Sequence, residues 1–89
     1  MAWQVELSPA TLKSLSKMDK PIAQRIINFL RDRLEKIEDP RSIGQALKGS
    51  ELGEFWKYRV GDYRLVARIE DQVMRVLVIK VGNRKEVYD

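Results

Sequence analysis

Apolar and polar positions alternate at the start of the chain, where Trp3, Val5 and Leu7 are separated by Gln4 and Glu6. That period of two predicts a β-strand with one buried face. Ser8-Pro9 supplies an N-cap and a first helical residue, opening a short helix that runs to about Met18. Asp19 is set to cap a second helix, with Pro21 tolerated in its first turn. Ile22, Ile26, Leu30, Leu34 and Ile37 recur at near-helical spacing, and Phe29 widens the stripe. Asp39-Pro40 ends this helix, because a residue before proline is pushed out of the α region.

Gly44, Gly49 and Gly53 mark residues 41–53 as a connecting loop, with a helical turn expected around Gln45–Lys48. Three strands follow, near 54–60, 63–70 and 73–81. Gly61-Asp62 and Asp71-Gln72 join them and are short enough for hairpins. The order βααβββ predicts an α+β fold, one domain over residues 1–89, with a helical hairpin packed on a small, mostly antiparallel sheet.

The same alternation puts Lys57 and Arg59 on one face of the fourth element. If the Gly61-Asp62 turn pairs this strand with the next, Arg64 lies beside them across the ladder. Arg84 and Tyr88 arrive from the end of the chain, and such a cluster suits a polyanion. The plainer reading is that Lys57 and Arg59 are solvent-facing strand charges that block edge-to-edge aggregation.

Composition narrows the chemistry. With 89 residues the core is thin, since so short a chain buries only roughly 60–65% of its unfolded surface. A net charge of +4 and a pI near 9.6 point to nucleic acid or an acidic protein partner. Cysteine is absent, so disulfides and thiolate chemistry are excluded. Without a long apolar run or a signal-peptide core, we expect a cytoplasmic protein with no membrane partner. Histidine is also absent, which removes imidazole acid/base pairs, Ser-His and Cys-His nucleophiles, and His-ligated metals. Asp32, Glu35, Glu38 and Asp39 lie among Arg31, Arg33 and Lys36 and read as a solvated, ion-paired helix face, so no metal or cofactor is expected. Any catalysis must come from Lys, Arg, Tyr or a lone carboxylate.

At this point the residues resemble a known group. The element order, Leu47-Lys48-Gly49, Tyr58-Arg59-Val60, Gly61-Asp62-Tyr63-Arg64-Leu65, and the ending Val81-Gly82-Asn83-Arg84 to Glu86-Val87-Tyr88 resemble the RelE/ParE superfamily of toxins from type II toxin–antitoxin pairs. The similarity is strongest to the RelE branch and spans nearly the whole chain. It implies a ribosome-dependent messenger-RNA endonuclease that inhibits translation and needs no cofactor. It also implies a cognate antitoxin as partner, contact with ribosomal and messenger RNA, and operator DNA reached only through the antitoxin.

The resemblance assigns the catalytic positions to Lys57, Arg59, Arg64, Arg84 and Tyr88. RNA carries its own nucleophile, the 2′-hydroxyl, so cleavage needs in-line geometry, charge stabilisation and proton transfer rather than a protein nucleophile. Lys57 is favoured as general base, with the Tyr88 hydroxyl as the alternative; Arg59 cannot deprotonate and is assigned to phosphate binding. Arg64 suits two non-bridging oxygens, Arg84 the leaving group, and Tyr88 the stacking of a splayed base. Lys48, Lys80 and Lys85 would extend the RNA track, although surface lysines are common. Lys13, Lys17, Lys20, Arg25, Arg31 and Arg33 on the helices either reach ribosomal RNA or form solvated faces. Two other functions stay open: a ParE-like inhibitor of DNA gyrase that acts by binding, and an inert module that only pairs with an antitoxin.

Overall fold

A computed structural model describes residues 3–47, 55–83 and 85. The opening alternation becomes strand β1 (Gln4–Leu7), with Val5 and Leu7 packed against the core. Trp3 is buried just ahead of it, and its indole Nε1–H donates to the Glu38 carbonyl at 2.9 Å. Helix α1 (Pro9–Ser16) begins as its sequence requires: the Ser8 Oγ accepts from the Thr11 backbone N–H at 3.1 Å. Helix α2 (Lys20–Phe29) starts differently from expectation, because the Asp19 side chain makes no capping hydrogen bond. Pro21 has no N–H to offer, and the Ile22 and Ala23 N–H groups donate to the Asp19 backbone carbonyl instead, each at 3.0 Å.

The second helix does not run to Asp39-Pro40. After Phe29 it widens into a π-helical turn, Leu30–Leu34, in which the Glu35 N–H reaches back five residues to the Leu30 carbonyl at 3.0 Å. The wider turn keeps Ile26, Leu30 and Leu34 buried while Ile37 falls outside it. Pro40 then opens a separate 3₁₀ turn (Pro40–Ile43), and Asp39 caps it by accepting from the Arg41 N–H at 3.0 Å. The helical turn expected around Gln45–Lys48 is also replaced. Gln45–Ala46 forms a short strand, β2, held by ladder pairing to the next strand.

Strands β3 (Phe55–Val60) and β4 (Tyr63–Glu70) fall where the alternation predicts. Gly61, at φ 59°, occupies the turn between them. The second hairpin is longer than the expected two-residue joint: a 3₁₀ turn, Asp71–Val73, and a left-handed Met74 (φ 51°) precede β5 (Arg75–Asn83). The sheet order is β1-β5-β4-β3-β2, with β1 parallel to β5 and the other pairs antiparallel. Both helices cover one face, where Leu15, Ile26, Leu30 and Leu34 pack with Tyr58, Leu65, Val76 and Val78. Neither α1 nor α2 covers the other face, the open face.

One irregularity sets what that open face carries. Along β5, Val76 and Val78 point into the core, and strict alternation would send Lys80 after them. The register shifts instead, pairing Val66 with Lys80 and Ala67 with Val78, so Ile79 is a bulged extra residue. Lys80 thereby turns to the open face and Val81 inward. The start of α1 grips this bulge: Thr11 Oγ1 donates to the Val78 carbonyl at 2.8 Å, and Ser8 Oγ to the Ile79 carbonyl at 3.1 Å.

Candidate active site

Two cross-strand rows make up the open face. Gln45, Lys57, Val66 and Lys80 follow one another across β2, β3, β4 and β5; Arg59, Arg64 and Gly82 form the adjoining row. Residues directly opposite in an antiparallel ladder share a face, so Lys57, Arg59, Arg64 and Lys80 all project to the same side. Lys57, Arg59 and Arg64 line a single cavity of about 270 Å³ together with Ile43 and Gln45. Three of the five side chains singled out as catalytic are therefore brought together.

The three cations differ in how they are held. Arg59 is exposed and Lys57 half-buried, whereas Arg64 retains only 7% of its surface. The Arg64 Nη1 donates to the carbonyls of Gly61 and Tyr63 at 3.2 and 3.1 Å. The turn thus fixes one end of a guanidinium that has five N–H donors in a planar fork. Such a group is pre-oriented, and little of its motion remains to be lost when an anion binds.

The β2 side of the cavity is built by the segment from Pro40 to Gln45, and four contacts hold that segment down. Tyr58, on the buried face of β3, donates its hydroxyl to the Pro40 carbonyl at 2.6 Å. Gly44 passes so close to the same ring that an added Cβ would lie 2.8 Å from Tyr58 Cε1. Arg41 reaches both Asp71 carboxylate oxygens, at 2.9 and 2.7 Å, and its guanidinium carbon sits 5.7 Å from the centre of the Trp56 ring. Burial pushes the Tyr58 hydroxyl up to about 12, against the nearby positive charge of Arg41. The hydrogen bond from Arg41 holds the Asp71 carboxyl below its ordinary value. Tyr58 is a packing residue, and Tyr63 packs partly buried against the core. Trp56 also packs against the core, half-buried, on the face opposite Lys57.

Lys80 is exposed on the open face, in the Lys57 row but outside the residues lining the cavity. Lys85 is exposed, and its backbone N–H donates to Asn83 Oδ1 at 2.9 Å. Arg84, Tyr88 and Lys48 lie outside the described residues. Of the helix cations, Arg25 and Arg33 share a neighbouring groove with Arg59, and Arg33 stacks over Phe29 at 5.7 Å. Ile43 and Gln45 lie in the stretch expected to be a connecting loop, because the 3₁₀ turn that ends at Ile43 and the two-residue strand that begins at Gln45 are both too short to show a period.

A family model for the ParE toxin of type II toxin–antitoxin systems (parDE) matches residues 5–88, and the chain belongs to that family, within the RelE/ParE superfamily. Toxin RelG of Mycobacterium tuberculosis is 27% identical over 88 residues, covering 99% of this chain and 98% of that protein. The toxin–antitoxin complex RelBE2 of the same organism superposes with a TM-score of 0.83 at 26% identity, covering 94% of this chain and 100% of that one. A double arginine-to-alanine mutant of Escherichia coli toxin RelE, in the free state, gives a TM-score of 0.74 at 22% identity, over 97% of this chain and 87% of that one; it bears on the fold alone. The expected α+β fold is therefore the one observed. Among the described residues, no helix is long and apolar enough to cross a membrane.

Proposed function

We propose that this toxin is a ribosome-dependent messenger-RNA endonuclease that halts translation. The observation that carries this reading is the cavity shared by Lys57, Arg59 and Arg64. A phosphodiester seated there meets a pre-oriented guanidinium from Arg64 and a second positive charge from Arg59. Fixed cations of this kind stabilise the extra negative charge of a phosphorane-like transition state, and such stabilisation usually contributes most to the rate. Lys57 takes the proton of the attacking 2′-hydroxyl, a step that adds about 10²- to 10⁴-fold. The O2′–P bond forms as the P–O5′ bond breaks, giving a 2′,3′-cyclic phosphate and a 5′-hydroxyl. Arg84 neutralises the charge on the leaving oxygen, which takes its proton from water, and Tyr88 stacks on a splayed base. Lys48, Lys80 and Lys85 contact flanking phosphates. The reaction needs no metal, since the residues that carry it are all cations and a phenol.

The ribosome orients the message, because so small a chain has few aromatic groups with which to hold single-stranded RNA. A cognate antitoxin neutralises the toxin, as the complexed state of RelBE2 indicates for that relative. An antitoxin segment carrying apolar anchors and acidic residues suits this surface, folding as it binds and reaching operator DNA on the toxin's behalf. The deciding experiment is cell-free translation with purified protein, followed by primer extension on the message. Ribosome-dependent cuts within codons support the reading; intact message on stalled or running ribosomes overturns it.

The match to a ParE toxin model favours a second reading, inhibition of DNA gyrase by binding. A supercoiling assay separates the two, because only a gyrase-directed toxin stops supercoiling in the absence of ribosomes.

A further inference from the structure

The cavity has two chemically distinct sides. Lys57, Arg59 and Arg64 supply charge from β3 and β4; Ile43 and Gln45 supply an aliphatic surface and a neutral amide from the β2 side. Charge alone recognises any phosphate, and phosphate contacts carry no sequence information. An amide is different, since it offers a donor and an acceptor side by side and matches the edge of a nucleobase. Gln45 is also set firmly. Its strand pairs with Lys57, and the segment ahead of it is fixed by Tyr58, by the close approach at Gly44 and by the Arg41–Asp71 pair. A side chain serving only as a solvated spacer would gain nothing from that support.

We propose that Gln45, with Ile43 as an apolar platform, reads a nucleobase attached to the scissile phosphate and so determines where this toxin cuts. The inference rests on the nuclease reading above and adds to it the residue that chooses the site. On the Hoogsteen edge, the edge we assign to Gln45, a glutamine amide pairs best where an acceptor lies beside an amino group, which among the four bases is adenine with N7 and N6. Ile43 packs the base while the cations hold its phosphate.

The test uses the full chain on ribosomes programmed with messages that differ only in the base on either side of the cut, with single-turnover rates read for each. The unsubstituted toxin should favour adenine at one flanking position. Gln45→Ala should shrink that preference by about fivefold, the lower part of the range for one bidentate base contact at an exposed site. Gln45→Glu keeps the shape but loses the donor, so on the Hoogsteen edge its preference should move toward cytosine, whose amino group a carboxylate accepts without the N7 acceptor that adenine sets beside its own. Gln45 is exposed on a two-residue strand, and thermal melting of both variants confirms that they fold. Unchanged base ratios in both variants overturn the inference and leave the nuclease reading standing, even where all rates fall together. A toxin that cuts no message in its unsubstituted form overturns both.

Discussion

Arg59 and Arg64 face each other directly across the β3–β4 ladder. Like charges in that position oppose pairing, and Arg59, the exposed member, can be replaced by a neutral β-former without losing the hydrogen bonds that Arg64 makes to the turn. Both arginines line the cavity, where a bound anion would be attracted by the two charges together. Arg59→Thr should therefore raise stability by about 0.2–1 kcal/mol at low ionic strength. The gain should shrink as added salt screens the repulsion. Urea denaturation in dilute buffer and in high salt measures both; a variant less stable than the parent in dilute buffer contradicts the account.

Arg64 should matter to the chemical step more than to ribosome affinity. Loss of one fixed transition-state donor lowers rates by about 10²-fold or more, so Arg64→Ala should fall that far in single-turnover cleavage on saturated ribosome complexes. Arg64→Lys keeps the charge but not the fork anchored on the Gly61 and Tyr63 carbonyls, and should recover only part of the rate. Arg31→Ala, on the helices, should instead weaken association modestly and lower its salt dependence. Parental rates from both Arg64 variants once bound would remove Arg64 from the mechanism.

Thr11 has a structural task. It is buried, and its hydroxyl satisfies the Val78 carbonyl beside the β5 bulge. Thr11→Val removes that hydroxyl while the Ser8 backbone N–H still donates to the same carbonyl at 2.9 Å, so it should destabilise the fold by about 0.5–1.5 kcal/mol, whereas Thr11→Ser should lose much less. Equilibrium unfolding distinguishes the two. Equal stability for Thr11→Val and the parent would show that the bulge needs no such anchor.

Tyr58 predicts an alkaline limit to stability. Its folded-state pKa, about 12, lies above the ordinary 10.0, so the unfolded chain gives up this proton first as pH rises. The stabilisation is complete below about pH 10 and is lost as pH climbs through about 12, with a slope near 1.4 kcal/mol per pH unit between. Tyr58→Phe should flatten that slope. At neutral pH it should also be less stable by about 1 kcal/mol, having lost the hydrogen bond to Pro40. An unchanged alkaline slope in Tyr58→Phe would assign the effect to other groups.

Elements with periods long enough to read were legible in the chain before it folded. The alternation from Phe55 to Val60 and from Tyr63 to Glu70 fixed two strands and the shared face of Lys57 and Arg59. Ser8-Pro9 fixed the start of α1, because capping is local chemistry. The Gly61 turn brought Arg64 opposite Arg59, since so short a hairpin joint allows one register. Other features arose only from contacts between distant segments. Gln45–Ala46 is a strand only because β3 offers it a ladder, and two residues carry no period of their own. Ile79 bulges, sending Lys80 outward, because β4 and the α1 hydroxyls set the register from far along the chain. Even the end of the second helix was set at a distance: a π turn keeps Leu30 and Leu34 in the core well before Pro40 would have stopped an α-helix. Local patterns record side-chain period and caps. Register, bulges and two-residue strands depend on hydrogen-bond partners that become neighbours only when the chain has folded.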